Sequence, residues 1–348
     1  MQQDFVHLHL HSEFSLSDGI IRIEDLVEKS SDLSFSAVAL TDLTNLFGLI
    51  KFYRLARKQG IKPIVGSEIK VAKDLDSQSG SLVLLVINKT GYTNLTKLVS
   101  KAYVEGQVSG EPIVKLSWLE EYSEGLIALS GGINGHIGQS ILGGNEALTN
   151  SRVDYFNNLF KGNFFIEIQR LGKNNETEYN QKVIDLAMQK KIPLVATNDV
   201  RFLMPVDPDV SPSDFEAHEA RVCIQKGQAL DDPRRSKDFV ENQYLRSPEE
   251  MKELFIDLPE ALENTVKIAE KCNLDLELGE FYLPDFDVPE GQTREEHLKQ
   301  LSYEGLNKRI LQINSSVNSY PIDEDQYFAR LDYELDMICK LNFAGYFL

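Results

Sequence analysis

The chain sets short β-rich apolar runs against stretches whose apolar positions recur every three or four residues. Seven such runs fall in the first two hundred residues, at 5–11, 37–41, 64–71, 82–87, 126–130, 164–168 and 194–197. Between them the helical period predicts helices at 45–59, closing at Gly60, at 92–103 and at 176–190. Strands alternating with helices imply repeated βα units and a mostly parallel sheet, so the expected fold class is α/β. A seven-stranded (β/α) barrel follows more naturally from seven such units than an open sheet does.

The first run carries the most information. Alternation puts Phe5, His7, His9 and His11 on one face and Val6, Leu8 and Leu10 on the other. A barrel strand turns an apolar face outward to its helices, so the histidine face is expected inward, with His9 and His11 nearest the carboxyl end where barrel sites form. The plain alternative is the polar face of a half-exposed edge strand. Three alternating histidines in a chain that has only 6 favour a metal-related origin.

Beyond the seventh run the texture changes. Pro205, Pro208 and Pro212 crowd a loop, 214–225 reads as a helix with His218 near its start, and helices follow at 248–254 and 259–271, each opening on a proline. The stretch 278–291, with Pro284 and Pro289, is the best boundary, giving expected domains of 1–280 and 281–348. Helical patterns return at 294–311 and 327–341, and the chain ends in the apolar Phe343 to Leu348. Such residues want burial, so the expectation is a chain cut inside a larger protein.

Composition narrows the class. Hydrophobic residues make up 42% and charged residues 26%, an ordinary globular balance. The longest apolar run, 82–87, is far short of the roughly 20 residues a spanning helix needs, and Met1 to Asp4 lacks the texture of a signal peptide. Cys223, Cys272 and Cys339 are odd in number and widely spaced, which fits a reducing cytoplasm better than a disulfide framework. The net charge of −18, from 36 Lys and Arg against 54 Asp and Glu, opposes reading this segment as a DNA-gripping surface.

Candidate ligands stand at or near the ends of several runs: His9 and His11, Asp18 in the next loop, Asp42, Glu68 and Asp199. Imidazoles and carboxylates meeting at a barrel mouth are what a divalent-metal phosphoesterase needs to bind phosphate oxygens and generate hydroxide. Asp18 before Gly19 is also an ordinary turn residue, and Asp42 and Asp199 could cap the helices or loops after them. Glu68 interrupts an apolar strand, where a carboxylate needs a partner or water.

Three segments together resemble a known family: His7-Leu8-His9-Leu10-His11-Ser12 with Ser15-Leu16-Ser17-Asp18-Gly19, the run Thr41-Asp42-Leu43-Thr44-Asn45-Leu46-Phe47-Gly48, and Gly60 to Glu68. They are similar to the polymerase-and-histidinol-phosphatase (PHP) domain of bacterial replicative polymerase III alpha subunits. Residues 88–103, 196–202 and 244–272 match that family in order and spacing, and 334–348 resembles the entry to its palm domain. The resemblance implies a distorted PHP barrel followed by a helical segment entering the palm. It also implies DNA-templated DNA synthesis, with Mg²⁺, by a longer protein whose catalytic aspartates lie beyond Leu348. The partners implied are a proofreading exonuclease (epsilon) subunit and, through the missing part, the sliding clamp, the clamp loader and primer-template DNA. The location implied is cytoplasmic, with no membrane.

Members of the wider family bind up to three metals. His9, His11, Asp18, Glu68 and Asp199 occupy matching ligand positions, but Leu43 and Arg201 stand where intact members have histidine, with further losses expected at Ser81 and Leu171. Leucine cannot ligate, and an arginine can take a cation's place against Asp199 or Glu68. Weak or absent Zn²⁺ or Mn²⁺ is therefore expected at an incomplete site. The main reading is an inert structural and docking module of a polymerase. The alternatives are a metal-dependent phosphoesterase, as proofreading exonuclease or pyrophosphatase, and a free-standing histidinol-phosphatase-like enzyme, which the tail after Leu278 opposes.

Overall fold

A computed structural model describes residues 5–16, 18–280, 285–315 and 321–348. Met1 to Asp4, Ser17 of the Ser15–Gly19 motif and residues 281–284 of the expected linker, Pro284 among them, lie outside the described residues. The chain divides into two compact units, Met1–Asp275 and Leu276–Leu348.

The strands are β1 (Ala37–Leu40), β2 (Lys62–Ala72), β3 (Gly80–Val86), β4 (Gln107–Val108), β5 (Glu111–Lys115), β6 (Leu126–Leu129), β7 (Phe164–Ile168) and β8 (Leu194–Ala196). The helices of the first unit are α1 (Ile23–Asp32), α2 (Leu49–Lys58), α3 (Lys89–Glu105), α4 (Leu116–Glu121), α5 (His136–Leu142), α6 (Glu146–Phe160), α7 (Glu176–Lys190), α8 (Asp214–Lys226), α9 (Pro248–Leu254) and α10 (Pro259–Lys271).

The seven expected runs stand side by side in a ring. Pairs β1–β2, β6–β7 and β7–β8 are parallel. Strand β3 is antiparallel to both neighbours, β2 and β6. The mostly parallel expectation fails there because the short 73–79 connection reverses the chain, whereas a parallel pairing needs a crossover. A further hairpin, β4–β5, lengthens the edge of β2. Residues 5–11 close the ring. Their one bridge joins Leu10 to Val200, yet they bond to both sides. Ala39 N and Thr41 N donate to His7 O and Leu10 O, Val200 N donates to His9 O, and His11 N donates to Val200 O. The result is a distorted α/β barrel.

Those bonds correct the expected facing of the first strand. Between these two bonds the second strand advances two residues, from Ala39 to Thr41, while the first advances three, from His7 to Leu10. This is a β-bulge, and a bulge re-aims the side chains that follow it. Val6 and Leu8 pack inside with Ala37, Ala39, Ile64, Val83, Leu85, Ile127, Leu129 and Val195. Phe5 packs outside with Phe35, Met251 and Phe255, and His7 leaves the histidine row to stack edge-on to Phe5 and Phe35 and donate to Arg246 O at 2.8 Å. Past the bulge Leu10 joins the α1–α2 layer of Ile23, Leu26 and Phe52, and His9 and His11 turn inward. Thr41 clamps the far side of the bulge, accepting from Leu10 N at 2.9 Å and donating to Leu10 O at 3.0 Å.

The interior is therefore layered, apolar below and polar at the carboxyl ends of the parallel strands. Helix α10 closes the lower end, placing Ile268, Ala269 and Cys272 against the apolar layer. It also fixes the first strand, since Thr265 Oγ1 accepts from the buried Val6 N at 3.0 Å. The second unit packs its own helices, α11 (Arg294–Ser315), α12 (Glu324–Lys340) and α13 (Ala344–Phe347), around Leu298, Leu335 and Ala344. No described helix is long and apolar enough to cross a membrane.

If α10 secures the start of the first strand in this way, Thr265→Val, which keeps shape and removes the acceptor, leaves Val6 N–H buried and unbonded. The expected cost is about 1–3 kcal/mol in urea unfolding; an unchanged midpoint would contradict it.

Candidate functional site

At the barrel mouth the bulged first strand delivers His9 and His11, β2 delivers Glu68, and β7 delivers Glu167. The chain leaving β8 delivers Asp199 and Arg201, and the loop after the first strand delivers Asp18. His9 lies between carboxylates, with Nδ1 2.7 Å from Glu167 Oε1 and Nε2 3.4 Å from Glu68 Oε2. His11 Nε2 is 3.0 Å from Glu68 Oε2, and its Nδ1 meets Ser15 Oγ at 2.9 Å.

Arg201 binds the other side of the cluster. Its Nε and Nη2 stand 2.7 and 2.6 Å from Asp199 Oδ1, Nη1 is 2.8 Å from Asp18 Oδ2, and Nη2 is 3.3 Å from Glu68 Oε2. Lys173 Nζ and Gln243 Nε2 approach Asp199 Oδ2 at 3.4 and 2.8 Å. Phe239 lays its ring over the guanidinium, 5.3 Å from centroid to Cζ. Asp199 holds a positive φ of 42°, a conformation that aspartate tolerates better than most residues. The mouth opens to solvent through a cleft of about 1390 Å³ lined by Asp18, Glu68, Lys173, Arg201 and Phe239 among others.

Four carboxylates, Asp18, Glu68, Glu167 and Asp199, thus face three cationic groups, Arg201, Lys173 and His9. Burial alone would raise the Asp199 carboxyl, but the charges of Arg201 and Lys173 outweigh it and hold the group below the usual carboxylate range. Burial acts the same way on Glu68, and His11 and His9 beside it hold it well below that range. Burial opposes charge on His9, yet Glu167 and Asp199 outweigh burial and lift its pKa to about 10. Arg201, desolvated but surrounded by Asp199, Asp18 and Glu68, is held charged even more firmly than a free guanidinium.

All five residues expected as residual ligands meet here, but in two groups. Donor atoms of His9, His11 and Glu68 lie within 4.8 Å of one another, a set that could hold one ion. Asp18 and Asp199 instead face Arg201. Asp42, an expected candidate, is drawn elsewhere: its carboxylate accepts from Ser12 N at 2.6 Å and from the Ser12 and Ser15 hydroxyls at 2.8 Å each, shaping the loop that carries Asp18. Leu43 N bonds to Ser15 Oγ, Ser81 Oγ receives Lys70 Nζ at 3.3 Å, and Leu171 is fully buried, so none of the three supplies a metal donor. The residues present do not fit a cluster of several metals. A guanidinium fills the cation position between Asp18, Glu68 and Asp199.

Sequence reasoning passed over Glu167, Lys173, Phe239 and Gln243. Glu167 carried the same signal as Glu68, a carboxylate inside an apolar run. The other three lie on connections whose path to the mouth no local pattern reveals.

The PHP domain family matches residues 7–171. Over 350 residues the chain is 45% identical to the DNA polymerase III subunit alpha of Pseudomonas aeruginosa, covering 100% of this chain and 29% of that protein. The subunit from Escherichia coli K12 is 44% identical over 345 residues and that from Vibrio cholerae 41%, each matched over 99% of this chain and 29% of its own length. The chain thus spans less than a third of the relatives it matches. Among solved structures, an amidohydrolase from Chromobacterium violaceum overlaps 62% of this chain and 96% of its own with a TM-score of 0.39 at 14% identity, too distant a likeness to bear on function.

The charges predict a stability profile. The pKa of His9 is raised from the ordinary 6.5 to about 10, so its contribution is complete below pH 6.5 and is lost as pH climbs toward 10. His7, buried and lowered to about 4, works the other way: its contribution is complete above pH 6.5 and is lost as pH falls toward 4. Lowered Glu68 and Asp199 add to the acid loss. Stability should peak near pH 6.5, and His9→Gln should flatten the alkaline limb while leaving the acid limb. A wild-type alkaline limb that survives in His9→Gln would refute the assignment of charge to His9.

Proposed function

We propose that this chain, which belongs with the DNA polymerase III alpha subunits and carries a PHP domain, is the N-terminal piece of a replicative DNA polymerase whose barrel is catalytically inert. In this reading residues 1–280 form the PHP domain and 281–348 begin the palm. DNA-templated synthesis, with its Mg²⁺, belongs to the part of the longer protein beyond Leu348, as do contacts with the sliding clamp, the clamp loader and primer-template DNA, in the cytoplasm. The barrel stabilises the core and docks the proofreading exonuclease (epsilon) subunit. A partner held beside the polymerase acts at a raised effective concentration.

The observation that carries the inert reading is Arg201 bound to Asp199, Asp18 and Glu68. A fixed guanidinium balances charge as a cation would, but it cannot lower the pKa of a bound water and so cannot make the hydroxide that phosphoester cleavage requires. The phosphoesterase reading keeps one specific support, the donor set of His9, His11 and Glu68. Any Zn²⁺ or Mn²⁺ there would be held by three side chains alone.

Thermal unfolding of the purified chain separates the two. Arg201→Ala leaves buried carboxylates uncompensated and should cost about 3–5 kcal/mol, while EDTA should leave the melting temperature of the wild type unchanged. A metal present at a hundredfold its dissociation constant would add about 2.7 kcal/mol that EDTA would remove. An EDTA-sensitive melting temperature, together with nuclease activity abolished by His9→Ala, would return the enzyme reading to first place.

A further inference from the structure

We infer that the face formed by α3, α4 and the end of β5 binds the sugar-phosphate backbone of duplex DNA. The inference goes beyond the reading above, which leaves primer-template contacts to the part beyond Leu348, and places a further contact within this chain.

Lys97 and Lys101 stand one turn apart on α3, and Trp118 and Tyr122 stand one turn apart along α4 and its C-cap. The two helices meet rung by rung. Lys97 Nζ lies 5.5 Å from the Tyr122 ring centroid and Lys101 Nζ 5.1 Å from that of Trp118. Lys115, the last residue of β5, brings a second ammonium to 5.2 Å from the same indole. A ring face attracts a cation at this range, so the three ammonium groups are held in a row before any partner arrives. That lowers the ordering cost of binding.

The carboxylates beside the row are engaged elsewhere. Glu120 accepts from the Tyr155 hydroxyl at 2.9 Å, and Glu121 sits beside the Tyr122 hydroxyl. None of Lys97, Lys101 and Lys115 is in an ion pair among the described residues, whereas Lys51, Lys182 and Lys190 each hold a carboxylate. Arg152, one turn before Tyr155 on α6, adds a fourth cation, whose Nη1 donates to the His136 carbonyl. Like charges one helical turn apart repel, and a row of phosphates would relieve that repulsion. The net charge of −18 averages over the whole surface and does not describe this face. A single strand is gripped through exposed aromatic platforms, but Trp118 is only 8% exposed beneath its lysines. The face therefore fits the phosphates of a duplex and reads no bases.

The test is fluorescence anisotropy of a labelled DNA duplex of arbitrary sequence titrated with the whole 348-residue chain at several salt concentrations. The wild type should bind at low salt, with log K falling against log salt at a slope of about −2.7 for three neutralised phosphates. Lys97→Gln, Lys101→Gln and Lys115→Gln together should weaken binding by at least about tenfold, and Lys97→Gln alone, at an exposed position, should reduce the slope by about 1. Lys58→Gln, Lys161→Gln and Lys191→Gln together, the same change in net charge at other exposed positions, should leave affinity within about twofold. Circular dichroism checks that each variant folds. No binding by the wild type at low salt, or equal binding by the wild type and the first triple variant, would overturn the inference. Polyglutamate that displaces the duplex through the same three lysines would make the partner an acidic protein and overturn the assignment to DNA. None of these results bears on the inert reading of the barrel, which the EDTA comparison decides.

Discussion

A guanidinium surrounded by carboxylates at the mouth of the barrel is the constraint on which the rest of this structure depends. Asp199, Asp18 and Glu68 arrive from three separate parts of the chain, and buried together without a cation they would repel one another in a medium that screens poorly. Arg201 lets them coexist. In doing so it ties the chain leaving β8 to the loop after the first strand and to β2. Phe239 and Gln243 then seal that arrangement from the solvent side. The layering of the barrel, apolar against α10 and polar above, requires such a balance of charge.

A metal ion and an arginine solve this electrostatic problem differently. An ion is exchangeable, its binding is linked to pH and to its free concentration, and it can activate water. An arginine is covalently present at every pH at which the fold survives, contributes a fork of directed donors, and activates nothing. In the proposed reading, an arginine placed here makes the stability of the barrel independent of metal supply and withdraws the chemistry. His9, held charged by Glu167 and Asp199, adds a second buried positive charge to the same balance.

The sequence made much of this legible, and where it did not the reasons are physical. All seven strand runs reach their places because buried strands read as short β-branched stretches whatever their partners. Helices such as Glu176–Lys190 and Pro259–Lys271 were readable to the residue from caps and periodicity. Helix α6 escaped because Val153, Phe156 and Phe160 are its few buried apolar positions among many polar ones. The direction of β3 depends on the length of a loop, not on its own residues. The bulge depends on hydrogen-bond register between two strands, and register is invisible in one of them; hence His7 was placed with His9 and His11 when it lies outside. Six candidates were read at or near the ends of strands, of which Asp42 is drawn away from the mouth, and the pairing of Arg201 with Asp199 or Glu68 was expected from the family resemblance together with its charge. Glu167 was missed although its strand showed it, and Phe239 and Gln243 were hidden because only the tertiary fold brings 239–243 over the mouth.

The most direct test of the exchange of metal for arginine is a crystal structure of the chain grown with zinc or manganese and measured at the absorption edge of that metal. The account predicts ordered guanidinium density between Asp18, Glu68 and Asp199, with no anomalous peak at His9 Nε2, His11 Nε2 or Glu68. An anomalous peak coordinated by His9 and His11, with Arg201 swung out of the mouth, would contradict it.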